Sequence, residues 1–211
     1  MKNSGGKPVL LKMVGAIQKN KDYLGEIDGL IGDGDHGMNM NKGFSLFEEE
    51  IAKKDISFTQ GLNELGTLLF SRIGGSMGPI YGSIFTAMAE AGEGLDLIDA
   101  AGFAAMLDGG LKGLRDLVEA EVGDKTLIDT LAPANEALQR AVREGKSLAA
   151  ALKDMKDAAE AGRDSTKDLV AKFGRSSRLG ERSRGVLDAG AVSCCLILTS
   201  MAEGILEQAE R

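Results

Sequence analysis

The sequence predicts an all-α fold of about eight antiparallel amphipathic helices, forming a single domain over residues 1–211. Three observations lead there. Apolar residues recur at helical spacing along nearly the whole chain. No segment shows the apolar–polar alternation of a strand, and no β-branched run is bounded by turn residues. Trp is absent and aromatic residues make up only 4%, which suits helices packed through Ala and Leu.

Each element has its own signal. Over residues 7–24, Leu10, Met13, Val14 and Ile17 fall on one stripe. A second helix follows an aspartate-rich turn and runs through Phe44, Phe47 and Ile51. The third covers 59–71, with Leu62, Leu65, Leu69 and Phe70 apolar. Pro79 marks the first turn of the fourth, since proline is tolerated where the N–H has no helical partner, and Ile80, Ile84, Phe85 and Met88 continue its face. A long fifth helix is expected over 96–120, with Gly109, Gly110 and Gly113 inside it. Each of those glycines costs about 1 kcal/mol relative to alanine, so they mark close packing or a kink. Residues 128–144, 147–162 and 188–209 complete the set, and Gly- and Ser-rich connectors fall at 72–78, 121–126 and 173–187.

Bulk properties narrow the class. With 211 residues, 43% hydrophobic and 27% charged, the chain has the composition of an ordinary globular protein. A net charge of −7 argues against nucleic acid as a partner, because phosphate backbones demand clustered Lys and Arg. Cys194 and Cys195 are adjacent within an apolar run and read as buried thiols. The N-terminus shows no secretory leader pattern. The apolar stretch from Ala189 to Ala202 falls short of the ~20 residues that span a bilayer, so it is read as a core helix. No membrane association and a cytoplasmic location are expected.

The chemistry concentrates in the connectors. Residues 31–41 read Ile-Gly-Asp-Gly-Asp-His-Gly-Met-Asn-Met-Asn, with Asp28 upstream, so Asp28, Asp33 and Asp35 crowd around the chain's single histidine, His36. Three carboxylates this close repel one another unless a cation sits between them, and hard oxygen ligands favour magnesium, manganese or calcium. An exposed acidic turn with Asp capping a helix is the plain alternative. Gly74-Gly75-Ser76-Met77-Gly78-Pro79 precedes a helix, where free N–H groups and a hydroxyl suit phosphate, although such turns also serve purely structural ends. The 174–185 connector carries Arg175, Arg178, Arg182 and Arg184 among glycines and serines, either an anion clamp or a solvated loop. Asp188 reads as the N-cap of the last helix. One histidine and two vicinal cysteines make a structural zinc site a poor reading, and no P-loop or protein-kinase signature is present.

In this order, Ile31–Phe44, Gly74–Gly82, Gly123–Ala134 and Gly174–Ala191 resemble the nucleotide-binding L subunit of dihydroxyacetone kinase over nearly the whole chain. The resemblance implies a barrel of eight antiparallel amphipathic helices with ADP or ATP at one rim. It implies two magnesium ions on Asp28, Asp33 and Asp35, and nucleotide contacts from His36, Asn39, Gly75, Ser76, Met77, Gly123, Thr126, Arg175, Asp188 and Gly190. It implies a phosphotransferase active only with a K subunit that holds the ketose, and recharged either by a phosphohistidine-bearing M subunit or by free ATP. Where phosphotransferase-linked relatives read His-x-Asp-Pro-Gly-Ala, this chain has Val186-Leu187-Asp188-Ala189-Gly190-Ala191. That departure leaves the donor and the ketose open, erythrulose included. Fatty acid kinase presents a similar nucleotide domain, and some L-type subunits engage a transcription regulator; both remain as alternatives.

Overall fold

A computed structural model describes residues 1–210 as eight α-helices with three short 3-10 turns, and no strand occurs among them. The helices are α1 (Lys7–Ile31), α2 (His36–Ile51), α3 (Phe58–Arg72), α4 (Met77–Ala91), α5 (Ala100–Arg115), α6 (Ile128–Arg143), α7 (Leu148–Ser165) and α8 (Ala189–Ala209). Each packs against the next, and α8 returns to α1, so the helices close into a ring. Inside it lies a continuous apolar core in which Phe44, Phe47, Phe58, Phe85 and Phe103 are fully buried. Phe44 and Phe85 meet edge to face with centroids 6.3 Å apart, a favoured aromatic geometry.

Caps decide several boundaries. Ser57 and Gln60 form a reciprocal capping box that starts α3, and Ser147 caps α7 through the Ala150 N–H at 3.3 Å. Asp188 caps α8, accepting from the Ala191 N–H at 2.7 Å, as the sequence indicated.

Two helices depart from expectation. α1 extends to Ile31 rather than ending at 24, because buried Leu24, Ile27 and Ile31 prolong its apolar stripe. Asp28 therefore sits on the last turn of a helix. α5 covers only Ala100–Arg115, not 96–120. Asp99 caps it through Gly102 N–H at 2.7 Å, and residues just before are held extended, with an antiparallel bridge between Lys2 and Leu97. The three α5 glycines serve close packing: a Cβ on Gly109, Gly110 or Gly113 would come within 2.7 Å of Ala91, Met88 and Ala87 respectively, all on α4.

α8 is 21 residues long and apolar enough to cross a bilayer by length and composition, yet most of it is buried against α1, α6 and α7. Cys194 and Cys195 are free buried thiols on this helix, as expected. Alternate connectors converge at one end of the ring. Those after α1, α3, α5 and α7 line a common cleft there.

Candidate functional site

The cleft has a volume of about 410 Å³. Of the residues singled out from sequence, Asp28, Asp33, Asp35, His36, Asn39, Gly75, Ser76, Met77, Thr126, Arg175, Asp188 and Gly190 all line it. Gly123 does not. Its N–H donates to Asp129 at 2.6 Å with φ 100°, so it shapes the connector from outside the cleft wall. Of the four arginines in the 174–185 connector, Arg175 alone reaches the cleft; Arg184 instead pairs with Glu181 at 3.0 Å.

Asp28, Asp33 and Asp35 each place a carboxylate oxygen within 4.8 Å of the other two. Close packing of α1 on α2 holds them there. Gly37 lies so near the Lys21 carbonyl that a Cβ would collide with it. Asp35 occupies the N-cap position of α2 without making a side-chain cap, so its carboxylate is not used by the helix. Asp28 accepts the His36 backbone N–H at 3.3 Å, and Asp33 pairs with Arg175 at 2.9 Å. Three hard oxygen donors, crowded together and turned to one cleft, fit a divalent cation such as magnesium.

Two helix N-termini face the same space. α4 starts behind Ser76, whose hydroxyl makes no capping bond and is exposed. α8 starts behind Asp188, where burial pushes the carboxyl pKa up to about 6, aided by Asp129 and Asp28 and opposed by the Ala191 N–H and Lys125. The α4 N-terminus offers free N–H groups and a partial positive charge to an anion.

His36 is 8% exposed at the cleft wall, and its Nε2 lies 2.8 Å from Ser193 Oγ. Burial pulls its pKa down to about 4 against the opposing charge of Asp35, so the ring is neutral at pH 7. Ser193 Oγ is in turn 2.6 Å from Tyr81 Oη. Sequence reasoning missed Tyr81 and Ser193, because each looks like an ordinary helix residue until the ring closes.

Lys125 was also missed. It appears in sequence as part of a charged turn, but it is 1% exposed, sits at φ 62°, and donates its ammonium protons to the Thr166 and Val186 carbonyls. Burial lowers its pKa, partly offset by Asp188. Beside it, Asp129 accepts the Gly123 and Thr126 N–H groups, and Asp124 pairs with Lys172 at 2.6 Å. The Lys125 and Asp124 contacts clip the connector after α5 to the one after α7, and Asp129 braces the first from within. The signal available in sequence was the alternation of acid and base through Gly123–Asp129. Apolar wall comes from Ile80, Val118, Leu127, Ile128 and Phe173.

The chain resembles known proteins along most of its length. A DAK2-domain profile matches residues 30–203. The ADP-binding subunit DhaL of the PEP-dependent dihydroxyacetone kinase of Escherichia coli is 38% identical over 184 residues, covering 86% of this chain and 87% of that one. The corresponding DhaL subunit of dihydroxyacetone kinase 1 of Listeria innocua is 36% identical over 189 residues, 89% of each chain. In three dimensions the fold resembles the dihydroxyacetone kinase of C. freundii crystallised with AMP-PNP and Mg2+, with a TM-score of 0.71 at 21% identity; the match takes in 95% of this chain and 33% of that longer one. With the profile spanning most of the helices and these relatives matched nearly end to end, the chain belongs to the DAK2-domain family.

Proposed function

We propose that residues 1–211 form one nucleotide-binding domain that serves as the ADP/ATP-binding subunit of a cytoplasmic kinase for dihydroxyacetone or a related small ketose. The observation that carries this reading is the convergence of three carboxylates and a helix N-terminus on one cleft. Acids alone would repel a nucleotide, and an N-terminus alone would bind any anion. Together they select a phosphate chain that arrives with its cation.

Asp28, Asp33 and Asp35 would hold the magnesium, with room in the donor set for two ions. A bound cation supplies charge neutralisation to the phosphoryl oxygens. The chain's own groups do the rest. Ser76 and the free N–H groups at the start of α4 receive phosphate oxygens, and Arg175 adds a positive charge from the opposite rim. Ile80, Val118, Leu127 and Ile128 offer an apolar surface to the base. Asn39, Gly75, Met77, Thr126 and Gly190 complete the wall, and Gly123 keeps the Thr126 connector in shape.

His36 is engaged with Ser193 rather than free to serve as the general base for a sugar hydroxyl. That base, and the ketose, are assigned to a K-type partner subunit. Leu30, Met38, Phe70, Leu117, Val122 and Phe173 are exposed apolar residues on the segments around the cleft mouth, which suits a docking face. Recharging by a phosphohistidine-bearing M subunit requires the ADP to stay bound; recharging by ATP requires it to exchange.

Calorimetry with MgADP, with and without EDTA, tests the core of the reading. Binding is expected only with magnesium and is expected to vanish in Asp33→Asn while helicity is unchanged. Metal-independent binding would overturn the assignment. Denaturing freshly purified protein and assaying the released nucleotide separates the donors, because near-stoichiometric ADP indicates the retained cofactor.

A further inference from the structure

His36, Ser193 and Tyr81 form a buried chain behind the cleft. His36 Nε2 lies 2.8 Å from Ser193 Oγ, which lies 2.6 Å from Tyr81 Oη. The Gly190 carbonyl is farther from both hydroxyls, at 3.1 Å from Ser193 and 3.2 Å from Tyr81. Ser193 is 0% exposed and Tyr81 3%, so water does not compete for these protons. The three residues come from α2, α8 and α4, and no local motif joins them.

The protons can be counted. Tyr81 has one, Ser193 has one, and a neutral imidazole has one. Tyr81 and Ser193 approach at 2.6 Å, so one of them donates to the other, and the phenol, the more acidic O–H, is the stronger donor. If Tyr81 donates to Ser193, the serine proton goes either to His36 Nε2 at 2.8 Å or to its own helix's Gly190 carbonyl at 3.1 Å. The shorter contact favours the ring. The longer one is a bent bond back onto a helix carbonyl. With Nε2 as acceptor, the ring proton must reside on Nδ1, the nitrogen with no partner among the described residues. Which nitrogen is protonated is set by the bond the other makes.

We propose that Tyr81 and Ser193 are positioning residues for phosphate recognition. They run a hydrogen-bond chain from Tyr81 O–H to Ser193 O–H to His36 Nε2, which holds the neutral imidazole in its Nδ1–H form and presents that N–H to a nucleotide phosphate oxygen. Phosphate oxygens only accept near neutral pH, so the opposite tautomer would set a lone pair against them. The inference rests on the nucleotide reading above. It adds a reason for the histidine in this site: the chain turns it into a fixed neutral donor.

The single histidine makes the test direct. Protein without a histidine tag is labelled with 15N-histidine, and nitrogen–proton correlation spectra are recorded at pH 8 in EDTA, then with MgADP. The wild-type ring is expected as Nδ1–H in both. Ser193→Ala and Tyr81→Phe are expected to shift the ring toward Nε2–H and to weaken MgADP binding about tenfold, as for loss of one charge-assisted hydrogen bond. A role confined to packing would lower the melting temperature and leave the tautomer alone. An Nε2–H ring in wild-type protein that binds MgADP overturns the hydrogen-bond chain but not the nucleotide reading. Failure of wild-type protein to bind MgADP overturns the nucleotide reading, and the phosphate role of Nδ1–H with it. An unchanged tautomer in both folded variants also overturns the proposal.

Discussion

Arg175 places a guanidinium nitrogen 2.9 Å from Asp33 Oδ2, so an arginine sets a positive charge directly against the three aspartates. The pair is open to solvent, with Arg175 66% and Asp33 32% exposed. An exposed ion pair contributes about 0–1 kcal/mol, so releasing it opposes ligand binding very little. Arg175 can leave Asp33 for a phosphate at small loss. Arg175→Ala is therefore expected to change unfolding free energy by less than about 1 kcal/mol. The same variant should weaken MgADP binding about tenfold, the scale of one charge-assisted contact. Urea denaturation and calorimetry on one preparation check both halves.

Asp35 has no ion-pair partner among the described residues and makes no side-chain cap, so without a cation its carboxylate adds repulsion to the cluster and returns no stability. Asp35→Asn is expected to leave the melting temperature in EDTA unchanged or slightly higher. With MgADP at a hundred times the wild-type Kd, wild-type protein should gain about 2.7 kcal/mol by linkage and the variant almost none. Thermal melts in the two buffers read the difference. A variant that loses stability in EDTA would show that Asp35 serves the fold.

Lys125 joins two connectors through the Thr166 and Val186 carbonyls while its backbone stands at φ 62°. Lys125→Ala strands the buried Thr166 carbonyl and the partly buried Val186 carbonyl, for an expected loss of about 2–4 kcal/mol. Lys125→Gly loses the same bonds but relieves the left-handed backbone, and should be about 1 kcal/mol more stable than the alanine variant. Urea midpoints of the two variants isolate the backbone contribution. Equal midpoints would mean the φ angle carries no strain.

Much of the ring could be read from sequence because its helices are amphipathic and its rim is written in short runs. Leu62, Leu65 and Leu69 on α3 announce their own face, and Asp33, Gly34, Asp35 and His36 lie side by side in the chain. Closure could not be read this way. Ser193 is 157 residues from His36 and 112 from Tyr81, and nothing in local spacing marks a serine on an apolar helix as the middle of a proton chain. Lys125 hid for a different reason: a lysine between an aspartate and a threonine in a glycine turn resembles a solvated charge, and only burial separates the two. The overlong reading of α5 has a third cause, since residues 96–98 are pulled straight by the N-terminal segment, with Ile98 N–H donating to the Met1 carbonyl at 2.9 Å.

His36 and Asp188 make opposite demands on acid stability. His36 titrates near 4 in the fold and near 6.5 when unfolded, so between those values the unfolded chain holds more protons and stability rises with pH. Asp188 titrates near 6 in the fold against 3.8 unfolded, so over its window the folded chain holds more protons and stability falls as pH rises. From about pH 4 to 6 the two slopes largely cancel, and the metal-free wild-type protein should show little pH dependence from this pair. His36→Gln keeps a polar atom near Ser193 and removes only the histidine slope, so the variant should lose stability as pH rises from 4 to 6. Asp188→Asn keeps the helix cap and removes the opposite slope, so that variant should gain stability up to about pH 6.5. Urea unfolding of the three proteins in EDTA at half-unit steps reads the slopes. Parallel curves for all three would show that neither group differs in protonation between the folded and unfolded states.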